Sequence, residues 1–80
     1  MDKRNIDWTK HIAVAPGVLG GKPVIRGTRV PVQVIVGSLA GEMTVAEECE
    51  QYRVKPEQVK AALAYAAEML AEERVYALAR

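Results

Sequence analysis

Eighty residues with a formal charge of +1, half of them hydrophobic but only four aromatic (Trp8, Tyr52, Tyr65 and Tyr76), suit one small domain, 1-80, without a large aromatic core. One cysteine, Cys49, excludes an internal disulfide, and one histidine, His11, leaves no zinc set, so no metal or cofactor is expected. No apolar run approaches the roughly 20 residues of a membrane span, and the start Asp2-Lys3-Arg4-Asn5 is not that of a signal peptide, so a cytoplasmic protein is expected.

Residues 1-7 read as a polar, frayed start and 8-30 as a β-hairpin region. Weak alternation places a strand over about Ile12 to Val14. Ala15-Pro16-Gly17-Val18 has Pro then Gly at the centre of a type II turn. The stretch Gly20 to Val32 mixes Gly20, Gly21, Pro23 and Gly27 with the β-branched Val24, Ile25, Thr28, Val30 and Val32, which predicts a tight hairpin. Gly27-Thr28 suits a type II′ turn flanked by Arg26 and Arg29, making a hairpin or a meander of two or three strands. In that register the two arginines face each other. Either an internal glutamate or solvent relieves the repulsion, or the pair, with Lys22 nearby, forms a site for an anion or a partner carboxylate.

Residues 31-80 read as a three-helix region. The first helix runs from Pro31 or Val32 to Ala40, with Val32, Ile35, Val36, Leu39 and Ala40 on one stripe and a left-handed Gly41 at its end. Thr44 and Glu47 form a capping box for the second, whose inward residues are Val45, Cys49 and Tyr52. The third begins at Pro56 and continues almost to Arg80, with Val59, Leu63, Ala66 and Leu70 inward and Ala62, Met69 and Tyr76 widening that stripe. Such a helix, about 36 Å long, outruns two short neighbours. Its far end is expected on another chain, as in a homodimer.

The fold class is therefore mainly α: a trihelical helix-turn-helix domain, homeodomain-like or winged-helix-like, with a small N-terminal β-hairpin or meander and a long C-terminal helix. Its second helix, the turn Arg53-Val54-Lys55 and its third helix have helix-turn-helix lengths. Arg53, Lys55, Gln58 and Lys60 are the candidate DNA-binding residues, and Ala61 could meet a thymine methyl. Glu47, Glu48 and Glu50 oppose this by repelling phosphate, which leaves a trihelical core with no DNA contact as the alternative. Residues 1–41 carry six basic and two acidic side chains, and residues 42–80 five and eight. The basic half is expected to face phosphate and the acidic half a basic partner or solvent. Neither His11, Cys49 nor the carboxylates form a nucleophile, base or metal constellation, and Gly20-Gly21-Lys22 lacks phosphate-loop spacing, so no enzyme and no small-molecule substrate are expected.

The run GGKPVIRGTRVPV, followed by VIVGSLAGEMT, VAEECEQY and PEQVKAALAYAAE, closely resembles domain-of-unknown-function family 433 over about residues 8 to 70. That resemblance implies a small helix-turn-helix protein acting as the antitoxin of a toxin–antitoxin pair, with a PIN-like ribonuclease toxin as partner and operator DNA as a further one. Two departures fall before the last helix: Lys55 stands where members often have Ser or Thr, and Tyr52-Arg53-Val54 replaces a Tyr-Pro-hydrophobic turn. A DNA-binding module without a toxin and a protein-interaction adaptor are the alternatives.

Overall fold

The computed structural model describes residues 6–72. In chain order these form a 3₁₀ turn at Trp8–Lys10, strand β1 (Ile12–Ala13), a left-handed turn at Leu19–Gly21, strand β2 (Val24–Ile25), and helices α1 (Val32–Ala40), α2 (Val45–Tyr52) and α3 (Pro56–Glu72). The domain is mainly α, with three helices, a small antiparallel strand pair before them and the longest helix last. Of the predicted frayed start, residues 1–5 lie outside the described residues. Asp7 caps the first turn, accepting from the Thr9 backbone N–H at 3.2 Å and from the Thr9 hydroxyl, whose hydrogen bond holds the carboxyl below its usual range.

β1 pairs with β2 so that Ile12 lies opposite Ile25 and Ala13 opposite Val24. The limb after the Gly27 turn contributes only a bridge between Val24 and Pro31, closed by Ile25 N to the Val30 carbonyl at 2.9 Å and Val32 N to the Pro23 carbonyl at 3.0 Å, because α1 begins at Val32 and ends the extended run. The turn also sits one residue earlier than the type II′ expectation. Thr28 N donates to the Ile25 carbonyl at 3.0 Å, so Arg26 and Gly27 are its central residues, and Gly27, at φ 83°, takes the left-handed second position of a type II turn. Thr28 explains the shift: its hydroxyl donates to the Ile25 carbonyl at 2.7 Å and accepts from Val30 N at 3.0 Å. Thr28→Val, which keeps the shape but removes both bonds, is expected to cost about 1–3 kcal/mol. Calorimetry checks this, and Thr28→Ser should retain most of the stability.

Val18 N donates to the Ala15 carbonyl at 3.0 Å, closing the predicted turn there, but Gly17 is not among the positive-φ residues. The turn is consequently not type II; proline at the first central position suits type I equally. Next, Leu19, Gly20 and Gly21 take φ 50°, 67° and 87° in succession, and Gly21 N closes on the Val18 carbonyl at 2.9 Å. The two glycines adopt this backbone without steric cost, whereas Leu19 does so against its Cβ.

The helical boundaries follow local chemistry. Gly41 follows α1, though at φ −80° it is not left-handed. The Thr44–Glu47 capping box is complete, with Glu47 N to Thr44 Oγ1 at 3.1 Å and Thr44 N to Glu47 Oε1 at 2.8 Å. Inside, Ile12, Ile25, Val32, Ile35, Val54, Val59, Ala61 and Ala62 make the core, with Trp8, Val36, Leu39, Cys49, Tyr52 and Tyr65 packed around it. The Ser38 and Tyr52 hydroxyls, 3.0 Å apart, tie α1 to α2.

Two helices are turned relative to their predicted stripes. On α2, Glu48 is buried and Val45 is 41% exposed, so Glu48 rather than Val45 joins Cys49 and Tyr52 inside. On α3, Leu63 and Leu70 are 41% and 66% exposed, whereas Val59, Ala61 and Ala62 are buried. The cause is Trp8. Its ring meets Tyr65 edge-on, with centroids 4.8 Å apart and planes at 82°, and its Nε1–H donates to Glu68 Oε1 at 2.9 Å. The N-terminal segment thus covers the Ala61–Tyr65–Glu68 side of α3. Tyr76 and the predicted extension beyond Glu72 lie outside the described residues.

Candidate nucleic-acid interface

Helix α2 ends at Arg53, which takes a left-handed conformation at φ 59° and ψ 48° and donates its N–H to the Cys49 carbonyl. Val54 N also reaches the Cys49 carbonyl, at 3.2 Å, and its side chain is buried, which pins the turn to the core. α3 then begins at Pro56, whose missing N–H is not needed in a first turn. Lys55 supplies no capping oxygen, but Gln58 provides the reciprocal half of a capping box: its Oε1 accepts from Lys55 N at 2.7 Å. Two helices joined by three residues make a helix-turn-helix arrangement.

Of the predicted DNA-binding residues, Arg53, Lys55 and Lys60 are exposed around this turn. Gln58 is half-buried with its carboxamide oxygen engaged in the cap, leaving only its amide nitrogen free of that bond. Ala61 is fully buried and is unavailable to a thymine methyl, since the Trp8 segment occupies that side of α3. The acidic opposition is also smaller than expected: Glu48 points inward and Glu47 is held in its capping box, which leaves Glu50 as the uncommitted member of the three. Glu42, Glu47 and Glu50, with Ser38, Met43 and Gln51, line a separate concavity of about 640 Å³ between α1 and α2.

Glu48 is the residue that sequence reasoning missed. It is 0% exposed and neither Oε1 nor Oε2 has a hydrogen-bond partner. Burial pushes its carboxyl above the ordinary glutamate value.

The second predicted cluster is not assembled as a facing pair. Arg26 turns its guanidinium back along β1, donating from Nη2 to the carbonyls of Thr9 at 2.9 Å and Ile12 at 3.0 Å. Arg29, expected to be the more buried of the two, is exposed. With the turn at Ile25–Thr28, the two arginines are not its flanking residues, and the predicted repulsion does not arise. Lys22 instead borders an apolar groove of about 370 Å³ with Pro23, Pro31, Val36, Tyr65 and Ala66. Gly20, Gly21, Gly27 and Thr28 take the turn positions described above, and Pro23 accepts Val32 N at 3.0 Å, joining the loop to the first turn of α1. Among the described residues, no group of three or more His, Cys, Asp or Glu side chains is placed to hold a metal ion, and no helix is long and apolar enough to cross a membrane.

No curated protein and no solved structure matches the chain. A family model does: that of the "Protein of unknown function (DUF433)" family matches residues 12–66, from the first core residue of β1 through the helix-turn-helix to the middle of α3. By that match the chain belongs to the DUF433 family.

Proposed function

We propose that the protein is an antitoxin-like, cytoplasmic DNA-binding protein that neutralises a PIN-like ribonuclease and binds operator DNA as a homodimer. The observation that carries the DNA part is the turn itself: left-handed Arg53 and buried Val54 fix the start of α3, with Lys55 and Lys60 exposed beside it. Cations so placed suit phosphate contact, and the inward turn of Glu48 removes one of the charges that would oppose it. The ribonuclease part rests on the family resemblance, a fold-level analogy. A protein-interaction adaptor is the second reading, favoured by the acidic concavity of Glu42, Glu47 and Glu50.

Gel-shift titration on the DNA upstream of the gene tests the first reading. Lys55→Ala and Lys60→Ala should each weaken binding to all sequences and lower the slope of log affinity against log salt by about one unit. Gln58→Ala should act differently, lowering thermal stability through loss of the cap as well as changing base preference. Absence of any salt-dependent shift, with or without the product of the neighbouring gene, would put the adaptor reading first.

A further inference from the structure

Helix α2 is seated differently from its neighbours. The fully buried apolar side chains come from β1, β2, α1, α3 and the Val54 turn, and among the described residues α2 contributes none. Its one fully buried side chain is Glu48, with Cys49 and Tyr52 half-buried beside it and Val45 exposed. The helix is held at its ends by the Thr44–Glu47 box and the Val54 anchor, and in between by the Ser38–Tyr52 hydroxyl bond. Its inward carboxyl has no partner for either oxygen among the described residues. The apolar core is built without it.

Among the described residues no cation offsets that burial. Helices α1 and α3 pack on α2, and α1 has no titratable side chain at all. On α3, Glu57, Lys60, Glu68 and Glu72 are exposed and Tyr65 meets the Trp8 ring. On α2 itself Glu47 is tied to its cap, Glu50 is exposed, and the Tyr52 hydroxyl is taken by Ser38. Of the loop cations, Arg29, Arg53 and Lys55 are exposed, and Arg26 is bound to the Thr9 and Ile12 carbonyls. A carboxyl group in such surroundings has two outlets, to keep its proton or to reach water. Water is reached by lifting a helix that the core does not need.

We propose that α2 is a proton-controlled flap: with Glu48 protonated it lies on α1 and α3, and when that proton passes to solvent it lifts to hydrate the carboxylate, while the core of β1, β2, α1 and α3 stays folded. The direction of control follows from proton binding. The closed helix keeps the proton and the open one releases it, so acid closes the flap and base opens it. Arg53 N and Val54 N both donate to the carbonyl of Cys49, the residue after Glu48, so the hold on the turn loosens with the helix.

Hydrogen exchange of the full chain, followed amide by amide by NMR in low urea at a series of pH values, tests the flap. The amides of α2, Arg53 and Val54 should open together with little dependence on urea, while those of α1 and α3 open only with the whole fold. Protection of the α2 amides, corrected for the intrinsic rate, should fall by up to about tenfold per pH unit above the ordinary glutamate range, because one proton leaves at each opening. In Glu48→Gln that fall should vanish, and in Glu48→Met the α2 amides should approach the protection of α1 and α3. Equal protection and equal urea dependence of all three helices at every pH would overturn the flap, as would a pH dependence of α2 that Glu48→Gln leaves unchanged. A consequence for DNA rests on the helix-turn-helix reading above: at the alkaline end of the range Glu48→Gln should hold the upstream DNA more tightly than the parent does, and at the acid end equally. The two readings fail separately. A flap seen by exchange in a protein that gives no salt-dependent shift supports the flap and removes the operator, whereas DNA held by a parent whose α2 never opens on its own overturns the flap alone.

Discussion

Glu48→Met raises the stability of the fold by about 2 kcal/mol and lifts the thermal midpoint by roughly 10 °C for a domain of this size. The gain comes from deleting two carboxylate oxygens that are buried without partners and filling similar space with an adaptable apolar chain. Glu48→Gln gains less, since it removes the charge and keeps polar atoms in the same place. The parent protein carries a pH signature of the same residue. Because burial raises the folded-state value of Glu48 above the ordinary 4.5, the folded protein binds its proton more tightly than the unfolded chain does. Stability from this group is fully present below about pH 4.5 and is lost as pH rises through the folded value. The difference in unfolding free energy between parent and Glu48→Gln, measured by urea titration at several pH values, should therefore widen in favour of the variant as pH increases. A variant less stable than the parent at neutral pH, or a difference independent of pH, would show that Glu48 is satisfied in solution.

Trp8→Ala costs about 3 kcal/mol. Three losses combine: the edge contact with Tyr65, the hydrogen bond to the Glu68 carboxylate, and the cover over Ala61 and Ala62. Trp8→Phe separates them, because it keeps an aromatic edge while freeing Glu68, and should cost about 1–2 kcal/mol. Both are read from denaturant unfolding followed by circular dichroism. A Trp8→Ala variant within about 0.5 kcal/mol of the parent would mean that the N-terminal segment is not docked on α3 in solution.

What could be read from the sequence was local. The Thr44–Glu47 box, Pro56 at the start of α3, the end of α1 near Gly41 and the positive φ of Gly27 each depend on residues within a few positions of one another. The exposure of Lys55 and Lys60 follows from the same local pattern. What stayed hidden depends on long-range neighbours or on a pattern with two solutions. The register of the Gly27 turn is set by a threonine hydroxyl that bonds on both sides, and Arg26 reaches back 17 residues to the Thr9 carbonyl. Periodicity could not orient α3, whose apolar residues surround it, until Trp8 chose one side. The hydrophobic pattern assigns Glu48 to solvent, and no spacing rule signals that a carboxylate is buried.

The contact between Trp8 and Glu68 spans 60 residues of an 80-residue chain, and this orders events at the ribosome. The N-terminal segment is made first, yet the surface that receives it belongs to the last helix. At about 5–20 residues per second, roughly 3–12 seconds separate the synthesis of Trp8 from that of Glu68. Throughout that interval the indole is open to chaperones and proteases, and only completion of α3 withdraws it. Nascent chains halted before Tyr65 should for that reason be cut near Trp8 by a protease that leaves the finished protein intact.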